Sequence, residues 1–158
     1  MKIADAAQTF LSQHRIAVTG VSREGTQHGA NVVYQRLKDR GYTVFAVNPN
    51  TPEVDGDRTY PDLASIPGGV DAVVIGTSAA HAPATMREIV DLGIKYAWMH
   101  RSFGEGSVSP EATRIGRDAG VLVIDGGCPL MFGETSDGGH RFMCRMLKMT
   151  KAVPRQVA

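Results

Sequence analysis

Cysteine is scarce. Cys128 and Cys144 are the two in 158 residues, too few for a disulfide framework and not at a metal-ligand spacing. Long hydrophobic runs are missing too: no apolar stretch approaches the ~20 residues of a membrane span. Met1-Lys2-Ile3-Ala4-Asp5-Ala6-Ala7-Gln8 puts an acid and a glutamine where a signal peptide needs apolar residues. A cytoplasmic protein with no membrane partner is the default that follows. An excess of one charge is also lacking. The net charge of +1 makes no electrostatic case for nucleic acid, and aromatics do not interleave with the basic residues. His14, His81 and His100 form no ligand cluster, so no metal is expected. Asp125 and Glu134 are lone carboxylates, and no catalytic acid–base pair is assigned.

The remainder is ordinary soluble-domain chemistry, with 42% hydrophobic and 21% charged residues. No repeat, low-complexity stretch or linker divides the chain, so residues 1–158 read as one domain, with a core over about 12–131 and a C-terminal helix over about 139–150. That helix is basic. After Asp137 come Arg141, Arg145, Lys148, Lys151 and Arg155, with no acid among them. Phe142, Met146 and Met149 share one of its faces, which makes a homodimer through this helix conceivable.

Hydrophobic periodicity places a short amphipathic lead-in helix over 3–13. Five strands follow, at Ile16-Ala17-Val18, 43–47, 71–75, 95–99 and 121–124, separated by helices over about 29–40, 81–92 and 110–118. Asn48-Pro49-Asn50-Thr51-Pro52 reads as a rigid extended stop after the second strand, because proline lacks a ladder N–H and disfavours helix before it. Tyr60-Pro61-Asp62-Leu63 reads as the start of a short helix. Strand–helix alternation with short connections predicts an α/β, Rossmann-like three-layer sandwich around a five-stranded parallel sheet of order 3-2-1-4-5.

The strand at Ile16-Ala17-Val18 leads through Thr19 into Gly20-Val21-Ser22-Arg23-Glu24-Gly25, and a helix begins near Gly29. A strand, a tight loop and a helix N-terminus in that order make an anion site, since unpaired N–H groups and the positive end of the helix dipole converge there. The Gly-x-Ser-x-x-Gly spacing resembles the dinucleotide fingerprint, with serine at the second glycine. A dinucleotide site also wants an acid at the end of the second strand, and Val47-Asn48-Pro49 stands there instead. That arrangement suits an adenine nucleotide bearing a 3′-phosphate, which a carboxylate would repel. Ser22 and Asn48 would serve as neutral donors, with Arg23 and His28 as phosphate side chains. Thr77 and Ser78, after the third strand, read equally as ligand contacts or as caps of the following helix.

Taken together, several stretches resemble the CoA-binding domain family, small stand-alone proteins similar to the N-terminal domain of the succinyl-CoA synthetase α subunit. They are Gly20-Val21-Ser22, 40–49 (RGYTVFAVNP), 60–67 (YPDLASIP), 70–74 (VDAVV), 93–99 (GIKYAWM) and Cys128-Pro129. The resemblance covers about residues 12–131. It implies coenzyme A or an acyl-CoA held on Gly20, Val21 and Ser22, on Asn48 and Pro49, and on Gly76, Thr77 and Ser78. It implies binding rather than catalysis, because the synthetase's catalytic histidine lies in a further domain. Two departures stand out: Trp98-Met99-His100-Arg101-Ser102 where the family shows Trp-x-Gln-x-Gly, and Gly29-Ala30 where it shows Pro-Ser.

Two other readings remain. One is an NAD(P)-dependent reductase with its pocket in the 99–107 and 125–134 loops. The other is a CoA- or redox-responsive module in which Cys128, with His100 or His140 as base, forms a mixed disulfide with CoA.

Overall fold

Side chains in the strands alternate between two buried faces, and each face has its own set of helices. The computed structural model of the protein describes residues 1–23, 29–102, 104–133, 138–150 and 152–157. Its elements run α1 (Ile3–Leu11), β1 (Arg15–Thr19), α2 (Gly29–Asp39), β2 (Thr43–Val47), β3 (Glu53–Val54) and β4 (Asp57–Tyr60). They continue through β5 (Ala72–Ile75), α3 (Ala82–Asp91), β6 (Tyr96–Met99), α4 (Pro110–Asp118), β7 (Leu122–Asp125), a 3-10 turn (Pro129–Met131) and α5 (Gly138–Met149). Ile16, Val18, Val74, Trp98 and Ile124 pack toward α1, α2 and α5. Ala17, Val73, Ala97 and Val123 pack toward α3 and α4. Both faces are covered, so the central strands β1, β5, β6 and β7 are mostly apolar.

The sheet has seven strands in the order β3-β4-β2-β1-β5-β6-β7, parallel except for β3. This corrects the expected five strands and the expected order 3-2-1-4-5. The third expected strand is β5, and it pairs with β1 on the side away from β2. The place beside β2 is taken by β4. The β3–β4 hairpin turns through Asp55 and Gly56, both with positive φ (51° and 83°), as a two-residue primed turn requires. Asp57-Arg58-Thr59-Tyr60 is a half-exposed strand with no apolar run, which hides it from a hydrophobicity reading. Tyr60 therefore ends a strand rather than starting a helix, and residues 61–69 form successive turns and bends.

The hairpin is tied to α2. Tyr34 Oη and Lys38 Nζ both donate to Asp57 Oδ2, at 2.9 and 2.5 Å. At the other end of the sheet the two chain ends pair: the Met1 ammonium donates to Val157 O at 3.1 Å and Val157 N to Met1 O at 2.9 Å. α5 buries Cys144 and Leu147, while Phe142, Met146 and Met149 are 65%, 52% and 80% exposed. Among the described residues no helix is long and apolar enough to cross a membrane.

The strand order fixes where a ligand can enter. The chain leaves β1 for β2 and β4, then returns to place β5 on the opposite side of β1. Loops leaving the carboxyl ends of β1 and β5 diverge, and in open α/β sheets the crevice at this switch point is the ligand site.

Candidate functional site

The tips of β1 and β5 meet at two glycines. Gly20 has φ +79°, and a Cβ there would lie 2.5 Å from Gly76 O. A Cβ on Gly76 would lie 2.5 Å from Thr19 O and 2.7 Å from Ala30 Cβ, in the first turn of α2. Neither position has room for a side chain. The two strand ends and the N-terminus of α2 thus close on one another, with Thr19 Oγ1 accepting from Gly76 N at 3.2 Å. The first turn of α2 carries no acidic residue, and its N–H groups and dipole favour an anion at the helix start.

The glycine loop is stitched to its surroundings by two asparagines. Asn31, buried on α2, accepts from Ser22 N at 2.9 Å and donates to Ser22 O at 2.7 Å. Asn48, just past β2, donates to Val21 O at 2.7 Å and accepts from Asn50 N at 2.7 Å. The Asn48 amide therefore positions the loop as well as lining the crevice. Val21 is fully buried, while Arg23 is exposed in a turn. His28 lies outside the described residues.

After β5, Thr77 and Ser78 do not cap the next helix. The N-cap of α3 is His81, which makes no side-chain capping bond. Ser78 Oγ instead lies 2.7 Å from His81 Nδ1, and Ser107 Oγ donates to Thr77 O. Thr77 Oγ1 is buried without a hydrogen-bond partner. A buried unsatisfied hydroxyl costs about 1–3 kcal/mol, and a ligand that accepts from it removes that cost.

Two cavities flank this point, and Thr77 lines both. The larger, of about 480 Å³, includes Gly29, Ser78, His100, Ser107, Cys128 and Met143 in its lining. The smaller, of about 340 Å³, includes Gly20, Asn48, Pro49, Asp62, His81 and Glu88. The two carboxylates in the smaller cavity already serve the loop after β4. Glu88 Oε1 accepts from Leu63 N and Ala64 N, and Asp62 Oδ1 accepts from Ser65 N and Ser65 Oγ. Asp62 follows β4 while His81 and Glu88 come from the start and body of α3, and nothing in their spacing announces that they line one cavity.

His100 and Cys128 do come together, with Ser102 between them. Ser102 Oγ lies 3.3 Å from His100 Nε2, and Ser102 also neighbours the Cys128 thiol. His140, on α5, lines the same cavity. The electrostatics are those of neutral groups. Desolvation pulls the His100 imidazole down to about 4. Burial pushes the Cys128 thiol up to about 12, against the opposing influence of the Leu130 backbone, Arg40 and Ser102. A thiol so placed carries almost no thiolate at neutral pH. Asp125 pairs with Arg117 at 3.2 Å, and no group of His, Cys, Asp and Glu among the described residues could hold a metal ion.

The profile of the CoA binding domain matches residues 14–134. The chain is 36% identical over 84 residues to ADP-forming acetate–CoA ligase II of Archaeoglobus fulgidus, a stretch that is 52% of this chain and 12% of the ligase. It is 26% identical over 121 residues to the Bacillus subtilis protein YneT, covering 77% of this chain and 86% of that one. Among solved structures, a hypothetical protein from Pyrococcus horikoshii OT3 superimposes with a TM-score of 0.71 at 25% identity, covering 79% of this chain and 84% of that one.

Proposed function

The chain belongs to the CoA binding domain family, and we propose that it binds coenzyme A or an acyl-CoA across the carboxyl ends of β1, β2 and β5 without itself catalysing a reaction. The diphosphate sits at the N-terminus of α2, against the loop of Gly20, Val21 and Ser22, with Arg23 as the neighbouring cationic side chain. The adenosine occupies the smaller cavity beside Asn48 and Pro49. The pantetheine arm runs past Gly76, Thr77 and Ser78 into the larger one.

The observation that carries this reading is the unpartnered, buried Thr77 hydroxyl at the junction of the two cavities, next to the N-terminus of α2, whose first turn holds no acid. A ligand with a polar middle and two dissimilar ends satisfies that layout. A binding role without chemistry is supported by the groups in the larger cavity: a thiol held protonated, an imidazole too weakly basic to serve as a general base near neutrality, and no carboxylate among the described lining residues.

Titration calorimetry with CoA, dephospho-CoA and NAD tests the proposal. CoA is expected to bind, and dephospho-CoA to bind more weakly because it lacks the 3′-phosphate. Binding of NAD with no binding of CoA overturns it.

A further inference from the structure

We infer that the larger cavity selects thioesters of uncharged acyl groups, over free CoA and over acyl groups that end in a carboxylate. The inference rests on the proposal that the pantetheine arm enters this cavity, and it concerns what the arm carries.

The cavity has two chemically different walls. Thr77, Ser78, His100, Ser102 and Ser107, from the loops after β5 and β6, make a polar wall of neutral donors and acceptors. Val32 and Val33 from α2, Leu130 from the 3-10 turn and Met143 from α5 make an apolar wall. A thioester matches both, because its carbonyl oxygen can take a hydrogen bond from the first wall while its alkyl chain is covered by the second. Free CoA leaves the apolar wall bare, and apolar surface that a ligand covers is worth roughly 25 cal/mol per Å².

Charge is the sharper discriminator. No lysine, arginine, aspartate or glutamate is among the described residues lining this cavity. This is particular to the place, since the cavity beside β7 is lined by Arg117, Asp125, Lys148 and Arg155. The titratable groups that do line the larger cavity are His100, His140 and Cys128. An acyl carboxylate carried inside would lose water and meet no fixed cation, which is costly for an ion.

The test titrates the protein at pH 8, where an ordinary histidine of pKa about 6.5 is neutral. The ligands are CoA, butyryl-CoA and succinyl-CoA, of which the last two share a four-carbon acyl chain and differ in the terminal carboxylate. Butyryl-CoA is expected to bind more tightly than CoA and at least about tenfold more tightly than succinyl-CoA. Met143→Lys places a cation on the apolar wall and is expected to narrow or reverse that ratio. Val32→Lys, at a more exposed position of the same wall, repeats the trial should the first variant fold poorly. Equal affinity for butyryl- and succinyl-CoA in the unmodified protein overturns the inference, as does a ratio that neither lysine moves. Failure of all three ligands to bind instead overturns the underlying assignment of the site.

Discussion

Gly29, the first residue of α2, lies directly against the ring of His100: a Cβ on Gly29 would sit 2.7 Å from His100 Cε1 and 3.3 Å from Nδ1. The absence of a side chain at the helix start is thus what lets an imidazole from the loop after β6 reach the anion position. Gly29→Ala is expected to displace the ring and weaken CoA binding by about tenfold, while costing about 1 kcal/mol or less of stability, because alanine is a better helix former. Adding His100→Ala removes the obstacle, so the double variant should bind no worse than His100→Ala alone. Calorimetry on the four proteins of the cycle checks this. Independent, additive losses would mean that the contact does not matter.

Thr77→Val keeps the shape and deletes the unpartnered hydroxyl. Stability by urea denaturation should stay level or rise by up to about 1 kcal/mol, since a buried unsatisfied group is removed. CoA affinity should fall by about 3- to 10-fold, the worth of one hydrogen bond. A loss of stability with unchanged affinity would assign the hydroxyl a structural role instead.

The neutral His100 imposes a pH dependence on stability. Its folded-state pKa, about 4, lies below the ordinary value of about 6.5, so between those values the unfolded chain binds the extra proton. Stability should therefore fall as the pH drops from about 6.5 to 4, by on the order of 2–3 kcal/mol. His100→Gln should flatten this part of the profile. Denaturation midpoints at half-unit pH steps give the comparison.

Asp57 works in the same sense, in a more acidic window. The Lys38 ammonium, with help from the Tyr34 hydroxyl, holds its carboxyl below the usual range despite partial burial. Its contribution is present above the ordinary carboxylate pKa and is lost as the pH falls through the depressed folded-state value. Asp57→Asn should cost about 1 kcal/mol at pH 7, with the difference shrinking in strong acid, as thermal melts at pH 7 and pH 3 would measure.

Much of the fold could be read from the sequence because the central strands are continuous apolar runs. Thr43–Val47 and Pro110–Asp118 fall where the pattern predicts them. β4 did not announce itself, since three of its four residues are polar or charged, yet Asp55-Gly56 between Glu53-Val54 and Asp57-Arg58 is the hairpin signal that marks it. Missing that strand also displaced the expected strand order, for β4 fills the slot that β5 was assigned. α5 was legible as amphipathic but not as to which stripe faces in. Met143, Cys144 and Leu147 turn toward the domain and the Phe142 stripe toward solvent, because the other elements, not the helix itself, decide what is covered. In the site, the glycine loop was legible because its chemistry is local. The smaller cavity's carboxylates and the placing of Ser102 beside His100 and Cys128 arise only when distant segments converge.

The most direct trial of the account is amide chemical-shift mapping of the ¹⁵N-labelled protein during a CoA titration. The largest shifts should fall on Gly20, Gly29, Ala30, Thr77 and His100, the residues around the α2 N-terminus and the two glycine tips. Saturable shifts confined to other surfaces, with these five amides unmoved, would contradict the account.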